Sequence, residues 1–180
     1  ALYLDSSLSI NDGIKLYSSN SNYNSLGLSV CSAGDINNDG LNDVAISSLN
    51  NLNGGIIFIL FGNNTLDNID LKLLTPSQGV SIIGDSWSYS GYSIDGVGDV
   101  NGDGIDDIII GSMPYKDIYL TQYAYILYGR NQSLYDKASI STLSPNSYAI
   151  IMNGGIIVSG IGDITNVGIN ETLVIDYKPN

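Results

Sequence analysis

Apolar residues along this chain gather in short, separated runs and do not recur at helical spacing. Val44-Ala45-Ile46, Gly55-Ile56-Ile57-Phe58-Ile59-Leu60-Phe61, Ile108-Ile109-Ile110, Gln122-Tyr123-Ala124-Tyr125-Ile126-Leu127-Tyr128 and Leu173-Val174-Ile175 are rich in β-branched and aromatic residues. Gly, Asn, Asp and Ser separate them, so they read as strands broken by polar turns. Several are apolar at every position, which requires a sheet packed on both faces.

The runs repeat. Asp35, Asp99 and Asp163 are each 64 residues apart, and the same step carries Gly27 to Gly91 to Gly155 and Gly34 to Gly98 to Gly162. Within one period the pattern predicts four strands: Tyr92 to Val97, Asp107 to Gly111, Gln122 to Tyr128, and a short fourth such as Val80 to Ile83. The third matches Gly55 to Phe61, each ending in an aromatic and a glycine. The fourth has counterparts in Ile14 to Leu16 and Tyr148 to Ile151. A four-stranded unit repeated radially is a propeller blade. The expected fold is all-β, with β-propeller blades of four antiparallel strands in about three repeats of 64 residues. Two whole blades, 26–87 and 88–152, are flanked by half-blades at 1–25 and 153–180. Ala1 falls inside a third strand and Asn180 follows a second. Three blades do not close a ring, since propellers typically have about 4–8. Either the piece belongs to a longer propeller or its open ends pair with something else.

Between the first and second strands lies an acidic loop. In Asp99-Val100-Asn101-Gly102-Asp103-Gly104-Ile105-Asp106-Asp107, oxygen-bearing side chains stand at positions 1, 3, 5 and 9, with glycine at 6. Asp35-Ile36-Asn37-Asn38-Asp39-Gly40-Leu41-Asn42-Asp43 repeats the arrangement. Such spacing suits Ca²⁺, a hard cation that takes carboxylate, amide and carbonyl oxygens. The expected ligands are the side chains of Asp35, Asn37, Asp39 and Asp43 with the carbonyl of Leu41, and Asp99, Asn101, Asp103 and Asp107 with the carbonyl of Ile105. Asp106 is expected to point to solvent. An EF-hand is excluded, because position 12 is Ile46 or Ile110 instead of Glu and strands follow the loops. Mg²⁺ suits the loops less well, since it prefers to keep several waters. The third loop, Asp163 to Glu171, has Thr165 and Val167 at positions 3 and 5 and is expected to be a turn that has lost its metal.

Composition sharpens this picture. Six basic residues against 18 acidic ones leave a net charge of −12, much of it in the loops, where bound cations would cancel it. That balance argues against nucleic acid, whose phosphates call for clustered Lys and Arg. Histidine is absent, which excludes Ser-His-Asp triads and most zinc sites. The single cysteine, Cys31, cannot form an internal disulfide and reads as a small core residue. No apolar run approaches the ~20 residues that a membrane-spanning helix needs.

At these residues the chain resembles the FG-GAP repeat family, best known from the β-propeller of integrin α subunits. That motif runs Phe-Gly, a strand, Gly-Asp, a nine-residue calcium loop, a hydrophobic strand and Gly-Ala-Pro. Leu26-Gly27, Gly34, the loop and Asp43-Val44-Ala45-Ile46 follow it, closing with Ser47-Ser48. Ser90-Gly91, Gly98, the loop and Asp107-Ile108-Ile109-Ile110-Gly111-Ser112-Met113-Pro114 follow it more closely. The resemblance implies a binding or adhesion module, with protein or glycan partners on the propeller face. Weak calcium loops fill only where calcium is abundant, so an extracellular or cell-surface setting is expected. Two alternatives stand beside it: a self-assembling surface or filament protein whose half-blades pair with further copies of itself, and a non-catalytic accessory propeller of a larger enzyme. No enzymatic activity is expected of the segment itself, whose acids are committed to the loops.

Overall fold

A computed structural model of the chain describes residues 13–23, 25–49, 54–63, 68–85, 88–113, 123–131, 138–144, 146–152 and 156–175. In order, the strands are β1 (Leu16–Tyr17), β2 (Val30–Gly34), β3 (Asp43–Ser48), β4 (Ile56–Leu60), β5 (Ile69–Asp70), β6 (Gly79–Ile83) and β7 (Ser93–Gly98). They continue with β8 (Asp107–Gly111), β9 (Tyr123–Leu127), β10 (Ala138–Ser139), β11 (Tyr148–Met152), β12 (Ile157–Gly162) and β13 (Glu171–Ile175). The only helical pieces among the described residues are single 3₁₀ turns at Leu71–Leu73 and Ile140–Thr142, so the fold is all-β. The expected third strand near Ala1 lies outside the described residues.

Strands β2, β3, β4 and β6 form one antiparallel sheet in that spatial order, and β7, β8, β9 and β11 form a second with the same connectivity. A hairpin of β12 and β13 repeats the first two strands once more. The register slips at the same place in each, between Ser32 and Gly34, Gly96 and Gly98, and Gly160 and Gly162. A bulge there bends each strand as it enters its acidic loop.

The sheets stack face to face, which explains why β4 and β8 are buried at every position. Side chains alternate across a strand. Ile57 and Ile59 of β4, with Val80 and Ile82 of β6, meet Ile94, Ile108, Ile110 and Leu127 of the next sheet in one core. The opposite face of the first sheet presents Ile46, Ile56, Phe58 and Leu60 to Leu16, Tyr23 and Leu26, and Phe58 and Tyr23 pack edge to face with ring centroids 5.3 Å apart. The far face of the second sheet packs Val97, Ile109, Ala124 and Ile126 against Val158 and Val174 of the hairpin.

Neighbouring repeats are also joined by hydrogen bonds in a fixed step. Ser29 Oγ accepts from the Ile94 amide at 3.1 Å, and Ser93 Oγ accepts from the Val158 amide at 3.3 Å. At the opposite edge, the connection between third and fourth strands latches onto the fourth strand of the repeat before it. Thus β5 pairs in parallel with β1, and β10 pairs in parallel with β6. These two-residue bridges are too short to leave a periodic signal in the sequence. Cys31 packs against the inter-sheet core, and burial, aided by the nearby Asp95 carboxylate, pushes its thiol up to about 12. It is an inert core thiol.

Candidate metal centre

Both acidic loops fold the same way, held by carboxylates that accept from backbone amides. In the first, the Asp35 carboxylate accepts from the amides of Asp39 at 2.9 Å and Gly40 at 2.8 Å. Asn37 Oδ1 accepts from the Asp39 amide, Asn37 Nδ2 donates to Asp39 Oδ2, and Asp39 Oδ1 accepts from the Leu41 amide. Asp43 closes the loop: its two oxygens accept from the amides of Ile36 at 3.1 Å and Gly62 at 2.8 Å. In the second, Asp99 accepts from Asp103 at 3.1 Å and Gly104 at 2.7 Å, and also from Gly102. Asn101 and Asp103 repeat the middle contacts, and Asp107 accepts from Val100 at 2.9 Å and Gly129 at 2.8 Å. Glycine at position 6 is needed for the turn: Gly40 and Gly104 sit at φ 88° and 86°.

Electrostatics distinguish the closing residue from the rest. Asp43 and Asp107 are buried at the sheet edge, Asp35 is half-buried, and Asp39, Asn101 and Asp103 lie towards solvent. Burial raises the Asp43 carboxyl to about 6; its amide donors Gly62 and Ile36 pull it down, and the carboxylates of Asp39 and Asp35 push it further up. Asp107 is raised to about 6 in the same way, with Asp103 and Asp99 as its acidic neighbours. Each loop therefore brings three carboxylates within electrostatic reach of one another. Among the described residues, however, no three Asp, Glu, Cys or His side chains converge at metal-ligating spacing. The amide bonds set the present positions. An ionised carboxylate offers about four acceptor sites, and each of these acids uses only part of its capacity. The donor set is all oxygen, as a hard cation requires. Leu41 is exposed and Ile105 buried, so the two position-7 residues share a register but not an environment.

The third loop keeps the frame but not the full set of oxygen-bearing side chains. Asp163 accepts from Val167 and Gly168, and Glu171 accepts from the Ile164 amide and the Thr165 hydroxyl. Val167 offers no oxygen where Asp39 and Asp103 stand.

One expectation is corrected by the geometry. Asp106 does not point to solvent: it is half-buried, and its Oδ2 accepts from the Asp35 amide of the other loop at 2.8 Å. Residues at position 8 fill the space beside the glycine that precedes the neighbouring loop. A Cβ on Gly34 would lie 2.1 Å from Asp106 Oδ2, and one on Gly98 would lie 1.8 Å from Asn170 Nδ2. The 64-residue step that found Gly34 and Gly98 also relates Asp106 to Asn170 and to Asn42.

Two measurements follow. Gly34→Ala should destabilise by about 1–2 kcal/mol from its left-handed backbone and by a further ~1–3 kcal/mol from overpacking against Asp106. Gly162→Ala has φ +73° but nothing within 4 Å of its Cβ, so it should show the backbone penalty alone. Equal losses for the two in urea unfolding would count against the packing argument. Second, Asp43 and Asp107 have folded values near 6, above the ~3.9 of an unfolded Asp. Their contribution is thus fully present below about pH 4 and is lost as pH rises through about 6. In EGTA the chain should be more stable at pH 5 than at pH 8. Excess calcium, which binds the ionised form, should flatten or invert that slope. A calcium-free stability that climbs from pH 5 to 8 would contradict the assignment.

The sheet-and-loop unit defines a class of repeat. Residues 90–127, running from the turn before β7 to the end of β9, match the family model described as FG-GAP repeat. Among curated proteins the chain is similar to integrin alpha-2 of Bos taurus, 36% identical over 89 residues, and of Mus musculus, 35% identical over 94; each match covers 48% of this chain. It is also similar to integrin alpha-PS3 of Drosophila melanogaster, 34% identical over 95 residues and 52% of this chain. The matched stretch spans only 7–8% of the length of those relatives. The resemblance drawn from the sequence is thereby borne out.

Proposed function

We propose that the chain is a calcium-stabilised stretch of FG-GAP β-propeller serving as an extracellular binding or adhesion module. The observation that carries the reading is the repeated loop: two acidic nine-residue loops with the same internal hydrogen bonds. One of them lies inside the FG-GAP match. On this reading 26–87 and 88–152 are blades and 1–25 and 153–180 half-blades. One ion is held by Asp35, Asn37, Asp39 and Asp43 with the Leu41 carbonyl, the other by Asp99, Asn101, Asp103 and Asp107 with the Ile105 carbonyl. Calcium supplies positive charge to loops of mutually repelling carboxylates and nothing catalytic. The residues themselves stiffen the rim from which connecting loops reach a protein or glycan partner. No helix among the described residues is long and apolar enough to cross a membrane.

Binding of the purified chain to arrays of immobilised extracellular-matrix proteins and glycans, in calcium and in EGTA, tests the proposal. Calcium-dependent retention on one class is the expected result. Equal retention in both buffers, or none on either array with the chain folded, would count against it.

A second reading, self-association through open half-blades, draws on exposed apolar residues. Val30 is 58% exposed on the first sheet and Ile157 is 52% exposed on the hairpin. The corresponding faces elsewhere pack against a neighbouring repeat. Sedimentation velocity with and without EDTA separates it from a monomer.

A further inference from the structure

Asp106 has no ligand role in its own loop and reaches instead into the neighbouring one. Its Oδ2 accepts from the amide of Asp35, the first residue of loop 1, at 2.8 Å. A second connection runs alongside. The closing carboxylate of loop 2, Asp107, accepts from the Gly129 amide at 2.8 Å. The next amide, Arg130 N, donates to the Ile36 carbonyl at 3.0 Å, and the Ile36 amide donates to Asp43 Oδ2 at 3.1 Å. Groups attached to loop 2 therefore hold loop 1 at its first proposed ligand and at Ile36, whose amide in turn holds the last. Between them, Asn38 Nδ2 donates to Asn131 Oδ1 at 2.6 Å, tying the middle of loop 1 to the same turn.

We propose that Asp106 is a positioning residue through which the two loops bind calcium cooperatively, an ion in loop 2 strengthening the hold of loop 1. This rests on the calcium reading of the loops. An ion on Asp99, Asn101, Asp103 and Asp107 fixes the segment from Asp103 to Asp107, and with it the Asp106 carboxylate and the Gly129–Arg130 turn. Loop 1 then meets its ion with both ends already placed, and less ordering entropy is lost in the second step. Repulsion between two dications opposes this, and the Asp106 carboxylate at the junction offsets it. Linkage makes the effect reciprocal.

The test is a calcium titration of the ¹⁵N-labelled chain followed by NMR at two amides. Gly40 N donates to Asp35 and reports loop 1; Gly104 N donates to Asp99 and reports loop 2. Both should shift in the unaltered chain. Asp103→Ala, which disables loop 2, should weaken binding at Gly40 by about fivefold, the low end of measured coupling between sites. In an Asp106→Ala background, disabling loop 2 should change Gly40 by less than about twofold, as a broken coupling requires in a double-mutant cycle. Asp106→Asn keeps an acceptor for the Asp35 amide but loses the charge, and should restore part of the coupling. A purely structural Asp106 would weaken loop 1 without altering the cost of disabling loop 2. An equal loss at Gly40 with and without Asp106 would overturn the coupling while the calcium reading stood. No shift at either glycine in millimolar calcium would overturn both.

Discussion

Stripping calcium from the folded chain should lower its unfolding free energy by about 5 kcal/mol, when the starting concentration is a hundred times the dissociation constant. The figure follows from ligand binding to the folded state alone, which contributes about 2.7 kcal/mol per site at that excess. Two loops have the full ligand set and the third lacks its position-5 carboxylate at Val167, so the sum runs over two. For a chain of this size 1 kcal/mol moves the melting temperature by about 2–4 °C, which places the expected drop at roughly 10–20 °C. Differential scanning calorimetry in millimolar calcium, in EGTA and in EGTA with magnesium checks it. Asp103→Ala should remove at least half of the calcium-dependent increment, and substitutions at Asp163 should leave it intact. A melting temperature indifferent to calcium would leave the loops as hydrogen-bonded turns and nothing more.

Phe58→Ala is expected to be the most damaging single truncation in the core, at about 3–5 kcal/mol. Phe58 is 1% exposed and lies at the centre of the cluster formed by Ile46, Ile56, Leu60, Ile69 and Leu71. Its ring also packs edge to face on Tyr23, an arrangement worth about 0.5–1.5 kcal/mol beyond area burial. Ile46, Ile56 and Leu60 lie on β3 and β4, each tied on both sides by ladder hydrogen bonds, which limits collapse of the void. Phe58→Leu, which restores most of the volume, should recover more than half of the loss. Urea unfolding of the pair decides the matter. A cost below about 1 kcal/mol for the alanine variant would place Phe58 outside the core.

The sheets were legible because their strands are apolar throughout and bounded by turn residues. Expectation and structure differ by a residue or two at each end: Gly55 to Phe61 against Ile56–Leu60, and Tyr92 to Val97 against Ser93–Gly98. Asp107 to Gly111 coincides. The loops were legible because every oxygen-bearing side chain falls at a fixed place relative to one glycine. What escaped the sequence lies between repeats. Asp106 meets Asp35 across 71 positions of chain, and nothing local to Ile105-Asp106-Asp107 marks it as an inward-facing acid. Its trace was the glycine immediately before each loop, which the 64-residue step marks and which leaves an empty place for a neighbour's side chain. Ser29 and Ser93 escaped for the same reason. A serine in a serine-rich chain carries no signal until the 64-residue step is applied to it.

Several bonds between repeats join a residue to one about a period further on: Ser29 to Ile94, Ser93 to Val158, Asp99 to Asn170. Duplicating one whole unit in the gene would reproduce both halves of each junction, so the array could lengthen or shorten by complete periods without redesign. An insertion of any other size within the strands would strand half of every such pair.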